Sequence, residues 1–219
     1  GTLLVIGWIY FLVFEWSNAF GDLPVAHKAT NALFMSITPR TAGFNAVDYA
    51  HVTNPSFFFT ILLMLVGGSP GGTAGGLKTT TAVTLLLALW TRLRGRTDVT
   101  AFHRSIPRET VGRAASLAVG GLVFLAVLIL LLLMTEAGGS AYDDRTSFLN
   151  LVFEAHSAFG TVGLSTGITP HISPPGKLIL VALMFAGRVG PAALAAAMIS
   201  AAGHRNQTYR FGREDVIIG

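Results

Sequence analysis

The 219 residues are 52% hydrophobic and 12% charged, with a mean hydropathy of +0.61 and no cysteine. Soluble domains carry about 25% charged residues, so this composition argues against a water-soluble enzyme, and the missing cysteines rule out disulfides and thiolate metal sites. The net charge of +4 is unevenly placed, with six of the 15 Lys and Arg in residues 92–113 and three in residues 205–213; that clustering is the signature of cytoplasmic loops in a membrane protein rather than of a nucleic-acid surface.

The chain starts apolar and without Met, so no signal peptide is recognisable, and it is expected to begin inside a longer polypeptide. Residues 2–14 are apolar and end at Glu15-Trp16, an acid and an interfacial aromatic. They predict a transmembrane helix, although spanning takes about 20 residues. Gly21-Asp22-Leu23-Pro24 is a turn, and residues 25–37 form a helix too short to cross. It must stop by Thr38, because Pro39 disfavours a helical residue before it. A short helix followed by the polar run Thr38-Pro39-Arg40-Thr41-Ala42-Gly43-Phe44-Asn45 predicts a re-entrant segment. Pro55 suits the first turn of the next helix. That helix breaks at Gly67-Gly68-Ser69-Pro70-Gly71-Gly72-Thr73-Ala74-Gly75-Gly76, because so many glycines cannot hold a helix, and it resumes over residues 77–90. Irregular backbone at membrane depth is tolerated only against protein or a water-filled cavity.

Residues 91–113 predict a cytoplasmic basic linker. Residues 114–134 are a full apolar span, 135–146 an outer loop, and 147–159 a second short helix followed by its own polar run. Residues 177–202 are the last long helix, and 204–219 a cytoplasmic tail. The second polar run, Phe159-Gly160-Thr161-Val162-Gly163-Leu164-Ser165, overlays the first with a shift of 120, since Thr41 falls on Thr161 and Gly43 on Gly163. The same shift pairs Gly1 with Gly121, Leu12 with Leu132, Pro55 with Pro175, Met64 with Met184 and Gly67 with Gly187. The chain therefore reads as two tandem units, 1–90 and 114–203. Each is a span, a short helix with a loop, and a span, in an all-α polytopic membrane protein of the cell membrane. Both basic clusters then lie on one side of the bilayer, and Asp22, Asp48, Asp143 and Asp144 collect on the other.

A polar loop with Thr-x-Gly at membrane depth leaves backbone carbonyls to be satisfied. A dehydrated alkali cation is the natural partner, since carbonyl oxygens can replace its hydration shell. The short helix also points its partially negative end toward the same place. Arg188 falls about 16 Å along the last helix at 1.5 Å per residue. A central Arg costs roughly 2.5–3.5 kcal/mol to insert, so it should face a cavity or a partner. No carboxylate is expected at its depth, which leaves the glycine-rich break, through Ser69 or Thr73, as the partner. Glu154 and His156, in the second short helix, either orient the adjacent loop or lie exposed.

Two enzyme-like strings carry little weight. Gly67-Gly68-Ser69-Pro70-Gly71 matches a nucleophile elbow, but a His base must stand nearby. Of the six histidines, His27, His51, His103, His171 and His204 fall in loops or tails and His156 in a short helix on the outer side. Residues 71–79 look like a phosphate loop, but Leu77 intervenes before Lys78 and no strand precedes it. Lys78 instead neighbours the break or reaches toward the cytoplasm.

The first polar run, the break with the following Leu77-Lys78-Thr79-Thr80, and Gly187-Arg188-Val189-Gly190-Pro191 resemble the Ktr/Trk/HKT superfamily of potassium transporters. The last string is most like the KtrB-type membrane subunits. The resemblance covers essentially the whole chain and implies four span–pore–span repeats around a pseudo-fourfold pore, of which this chain matches the third and fourth. It implies filter carbonyls at Thr41, Ala42, Gly43 and Phe44 and at Thr161, Val162, Gly163 and Leu164, with potassium at Thr41, Gly43, Thr161 and Gly163. It implies an intramembrane gate made by Gly67, Gly68, Ser69, Gly71, Gly72, Thr73, Gly75, Gly76, Lys78 and Arg188. Asn45 and Ser165 stand where potassium channels usually carry a second filter glycine, which predicts a less stringent filter that also passes sodium. The implied partners are the N-terminal half of the pore, a second complete subunit in a homodimer, and a cytoplasmic ring of RCK-type, KtrA-like subunits. Nucleotide would bind only that ring, and sodium would act as an activator. The rival reading is a non-conducting membrane scaffold or regulatory half-pore.

Overall fold

The computed structural model describes residues 1–21, 23–69, 74–96, 98–101, 104–137 and 145–190. The described residues are mostly helical. Helix α1 (Thr2–Phe14) and the amphipathic α2 (Val25–Ile37) pack side by side. The Ser36 hydroxyl donates to Leu4 O at 2.8 Å across their contact. The first polar loop follows α2, and a 3₁₀ turn at Tyr49–His51 leads into α3 (Asn54–Leu65), with Pro55 in its first turn.

At the break, the chain leaves α3 and returns beside its own exit. Val66 bridges Leu77, Gly67 N donates to Leu77 O at 2.8 Å, and Thr79 N donates to Gly68 O at 3.1 Å. The neck of the excursion is thereby hydrogen-bonded. Residues 70–73, including Gly71, Gly72 and Thr73, lie outside the described residues. Helix α4 (Thr79–Leu93) follows and has no buried residue.

The basic stretch is shorter than its composition predicts. Helix α4 runs on to Leu93, strands β1 (Thr100–Ala101) and β2 (Arg104–Ser105) pair antiparallel, and α5 (Arg108–Glu136) begins well before the apolar run. Pro107 stands at the N-cap of α5, and Glu109 pairs with Arg113 one turn on. Helix propensity and the i,i+4 pair carry the helix through its polar start. Among the described residues α5 is the one helix long and apolar enough to cross a membrane, while α1 and α3 are apolar but shorter. Its 29 residues give about 43 Å at 1.5 Å per residue.

Helix α6 (Arg145–Phe159) leads into the second polar loop, then a 3₁₀ turn at Thr169–His171 and α7 (Pro174–Val189). Helix α7 starts three residues earlier than expected because Ser173 caps it, its hydroxyl accepting from Gly176 N at 3.2 Å, and Pro174 and Pro175 suit its first turn. Gly190 at its end has φ +84°, and residues 191–219 lie outside the described part. Arg188 consequently falls in the last described turn of α7, about 21 Å from its start at 1.5 Å per residue.

The two units share a core. Phe153, Val162 and Leu164 from the second join Phe11, Met35, Phe57, Ile61 and Met64 from the first. The Phe57 and Phe153 rings stand 4.6 Å apart. A second cluster, with Leu132, Leu151, Phe159, Leu180 and Leu183, lies within the second unit. Helix α7 closes on the end of α6 at Gly187, where a Cβ would stand 1.8 Å from Phe159 O, so no other residue fits.

Candidate functional site

The two polar loops turn left-handed at equivalent positions. Among the described residues, Thr41 (φ +65°) and Thr161 (φ +49°) are the two non-glycine positions with left-handed backbone, and the shift of 120 relates them. Two residues on, Gly43 (φ +74°) and Gly163 (φ +93°) are left-handed as well. A β-branched residue in this region is strained, so the surroundings must hold each loop in place.

The end of the preceding short helix does that. In the first loop the N–H groups of Ala42 and Gly43 turn back to Thr38 O at 3.2 and 3.3 Å. In the second, Thr161 N donates to Ala158 O at 3.0 Å and Val162 N to Ser157 O at 2.9 Å. Each loop's exit is also pinned by a hydroxyl: Thr38 Oγ1 donates to Phe44 O at 2.7 Å, and Ser157 Oγ to Leu164 O at 2.6 Å. The expected filter positions therefore divide into two sets. The carbonyls of Phe44 and Leu164 accept hydroxyls. Among the described residues, no backbone N–H donates to the carbonyls of Thr41, Ala42, Gly43, Thr161, Val162 or Gly163.

The loops meet at their glycines. A Cβ on Gly43 would lie 2.2 Å from Val162 O and 3.2 Å from Gly163 Cα. Beyond them Asn45 Nδ2 donates to Ser165 O at 3.3 Å, joining two positions that the shift of 120 also relates. Backbone oxygens from both units thus converge at the C-terminal ends of α2 and α6, where the helix dipoles add partial negative charge. Such an arrangement favours a cation.

Of the two candidate orienting residues, Glu154 has that place. It is buried, and its Oε1 accepts from Ser165 Oγ at 2.6 Å and Thr166 N at 2.9 Å, while Oε2 accepts from Thr169 Oγ1 at 3.0 Å. His156 turns its Nδ1 to Val152 O in its own helix, at 2.7 Å. A cavity of about 450 Å³ adjoins this region, lined by Glu154, Thr161, Gly163, Ser165, Met184 and Arg188, among others. Glu154 and Arg188 both line this cavity. Of the break, Gly75 and Gly76 are buried and Ser69 is exposed. Gly75 N donates to Thr161 Oγ1 at 3.0 Å, so the break abuts the second loop. Lys78 is half-buried, with its Nζ donating to Ala74 O at 2.5 Å.

One pair of groups has no counterpart in the sequence reading. Glu15 and Glu136, each fully or nearly fully buried at the end of α1 and α5, bind the N-cap residues of α3 and α7. Glu15 Oε1 accepts from Thr53 N at 3.1 Å and Glu136 Oε1 from Ser173 N at 3.2 Å. Thr53 and Ser173 are related by 120, but Glu15 and Glu136 by 121, so an ungapped overlay hides the match. For Glu15, burial alone would raise the carboxyl pKa, but hydrogen bonds from Ser56, Thr53, Asn18 and Ala19 outweigh it and hold it below the usual value.

The family described as TrkH, cation transport protein, matches residues 2–205. The Ktr system potassium uptake protein B of Bacillus subtilis is 37% identical over 195 residues, covering 87% of this chain and 42% of that protein. The potassium/sodium uptake protein NtpJ of Enterococcus hirae is 36% identical over 219 residues, covering 99% of this chain and 48% of that protein. The crystal structure of the potassium transporter TrkH from Vibrio parahaemolyticus overlays with a TM-score of 0.72 at 16% identity, over 93% of this chain and 44% of that one, a likeness of fold. The chain thus spans about half the length of the relatives it matches. These relatives are transporters and not enzymes, and the chain belongs to the TrkH family of cation transport proteins.

Proposed function

We propose that this chain forms half of a potassium-conducting pore in the cell membrane. The observation that carries the reading is the pair of loops that meet at Gly43 and Gly163, left-handed at Thr41 and Thr161, with no backbone N–H among the described residues donating to the carbonyls of residues 41–43 and 161–163. These oxygens would replace the hydration shell of potassium. Units 1–90 and 114–203 act as span–pore–span repeats, with 91–113 and 204–219 in the cytoplasm. The glycine-rich break is the gate, and Arg188 adds a positive barrier beneath the filter, relieved when the break moves. Asn45 and Ser165 in place of glycine favour some sodium passage, in keeping with the paired ions in the Enterococcus hirae relative's name. The other half of the pore, a second subunit and an RCK-type cytoplasmic ring complete the assembly, and nucleotide acts only on that ring.

Potassium uptake into deficient cells, driven by the transporter that contains this chain, tests the reading. Gly43→Ser should lower potassium-over-sodium discrimination, and deletion of residues 68–75 should raise flux. Absence of any flux would favour the scaffold reading. Unchanged selectivity would remove the filter assignment, and unchanged flux on deletion would remove the gate.

A further inference from the structure

The two loop threonines share a backbone conformation but not a hydrogen-bond partner. The Thr41 hydroxyl donates to the carbonyl of its neighbour, Arg40, at 2.6 Å. The Thr161 hydroxyl instead accepts from Gly75 N, 86 residues away in the first unit, at 3.0 Å. The peptide that makes this bond is held at both ends, because Lys78 Nζ donates to Ala74 O, the carbonyl of the same peptide group, at 2.5 Å. A cation on a peptide carbonyl polarises the group and strengthens its N–H as a donor.

Packing reinforces the junction. A Cβ on Gly75 would stand 2.5 Å from Thr161 Oγ1 and 3.0 Å from Gly160 O. Gly76, at φ +69°, lies against Gly160 Cα, and the position of a Cβ on Gly160 lies 2.9 Å from Met64 O. Both arms of the break, the end of α3 and the return at Gly75-Gly76, therefore meet the second loop at Gly160-Thr161. A displacement of the break must separate Gly75 N from Thr161 Oγ1. The strained Thr161 backbone then loses a contact that helps to hold it.

We infer that Thr161 is a positioning residue that latches the glycine-rich break to the second loop, so that the cation held by that loop and the position of the break bias each other. The inference rests on the filter and gate reading and adds the residue that joins the two. Coupling of this kind is reciprocal: if the break alters cation affinity, the cation alters the break by the same factor.

The test uses thiol accessibility, to which these 219 residues contribute no cysteine of their own. Ala74→Cys, at a half-buried position, is labelled with a small methanethiosulfonate in membranes of the producing cell, in potassium or in N-methyl-D-glucamine. The labelling rate should differ by about fivefold between the two ions, the factor one neutral hydrogen bond supplies. Adding Thr161→Val, which keeps the β-branch and removes the acceptor, should abolish that difference, and Thr161→Ser should keep it. Thr161→Ala, smaller than the native side chain, takes the place of the valine variant if that one does not assemble. Potassium dependence that survives Thr161→Val, or that is absent from the parent while potassium flux is intact, overturns the latch alone. Absence of flux in the parent overturns the filter reading and the latch with it.

Discussion

The first and second polar loops follow the same path for different reasons. Both turn left-handed at a threonine and again at a glycine two residues on, and both have the carbonyl after that glycine pinned by a hydroxyl from the preceding helix end. The hydroxyls come from Thr38 and Ser157, which are 119 apart and not 120. Glu154 braces the exit of the second loop through Ser165, Thr166 and Thr169, whereas the equivalent position in the first unit is Phe34. Sterics constrain the backbone, while the side chains that support it are free to differ between units.

The two glycines offer the largest break in this symmetry. Both sit at positive φ, where a side chain costs roughly 1–2 kcal/mol. A Cβ at Gly43 would also collide with Val162 O at 2.2 Å, whereas one at Gly163 meets its nearest atom, Gly43 Cα, at an ordinary 3.4 Å. Overpacking adds about 1–3 kcal/mol, so Gly43→Ala should lower stability by about 3 kcal/mol and Gly163→Ala by roughly half as much. Thermal unfolding in detergent measures both. Equal losses would mean that the loops do not meet as described.

Next is the brace that only the second loop has. Glu154 is 6% exposed and accepts donors on both oxygens. Replacing it with Leu leaves Thr166 N and the hydroxyls of Ser165, Thr166 and Thr169 without this acceptor, about 1–3 kcal/mol. Hydrogen exchange should rise across residues 161–169 and stay unchanged across residues 38–45. A rise in both would show that the loops are supported as one body.

Much of this was legible in the residues, and the limits are instructive. The bounds of α2 and the arrest of α3 at the break follow from Pro39, Pro55 and the glycine run, because these act on the backbone locally. The start of α5 did not, since hydropathy marks where a helix is apolar and not where it begins; Arg108 and Glu109 belong to the helix without belonging to the apolar run. The bond from Gly75 to Thr161 joins two motifs that were each visible, but 86 residues of chain separate them and nothing local signals the contact. Glu136 escaped notice because the register between units slips by one residue before it and recovers by Ser173.

Glu15 gives the smallest effect and a direct check on its role. Burial pushes its carboxyl up, but hydrogen bonds from Ser56, Thr53, Asn18 and Ala19 outweigh that effect and hold it below the ordinary value, about 4.3 for Glu. A depressed pKa in the fold means that the unfolded chain takes up the proton first as pH falls. The stabilisation is therefore complete above about pH 4.3 and is lost as the pH drops through the lower value in the fold. Glu15→Gln keeps one acceptor for Thr53 and cannot titrate, so its melting temperature should fall less than the parent's between neutral and acid pH. Parallel pH profiles would mean that Glu15 joins α1 to α3 by packing alone, and that the hydrogen bond to Thr53 contributes nothing through its charge.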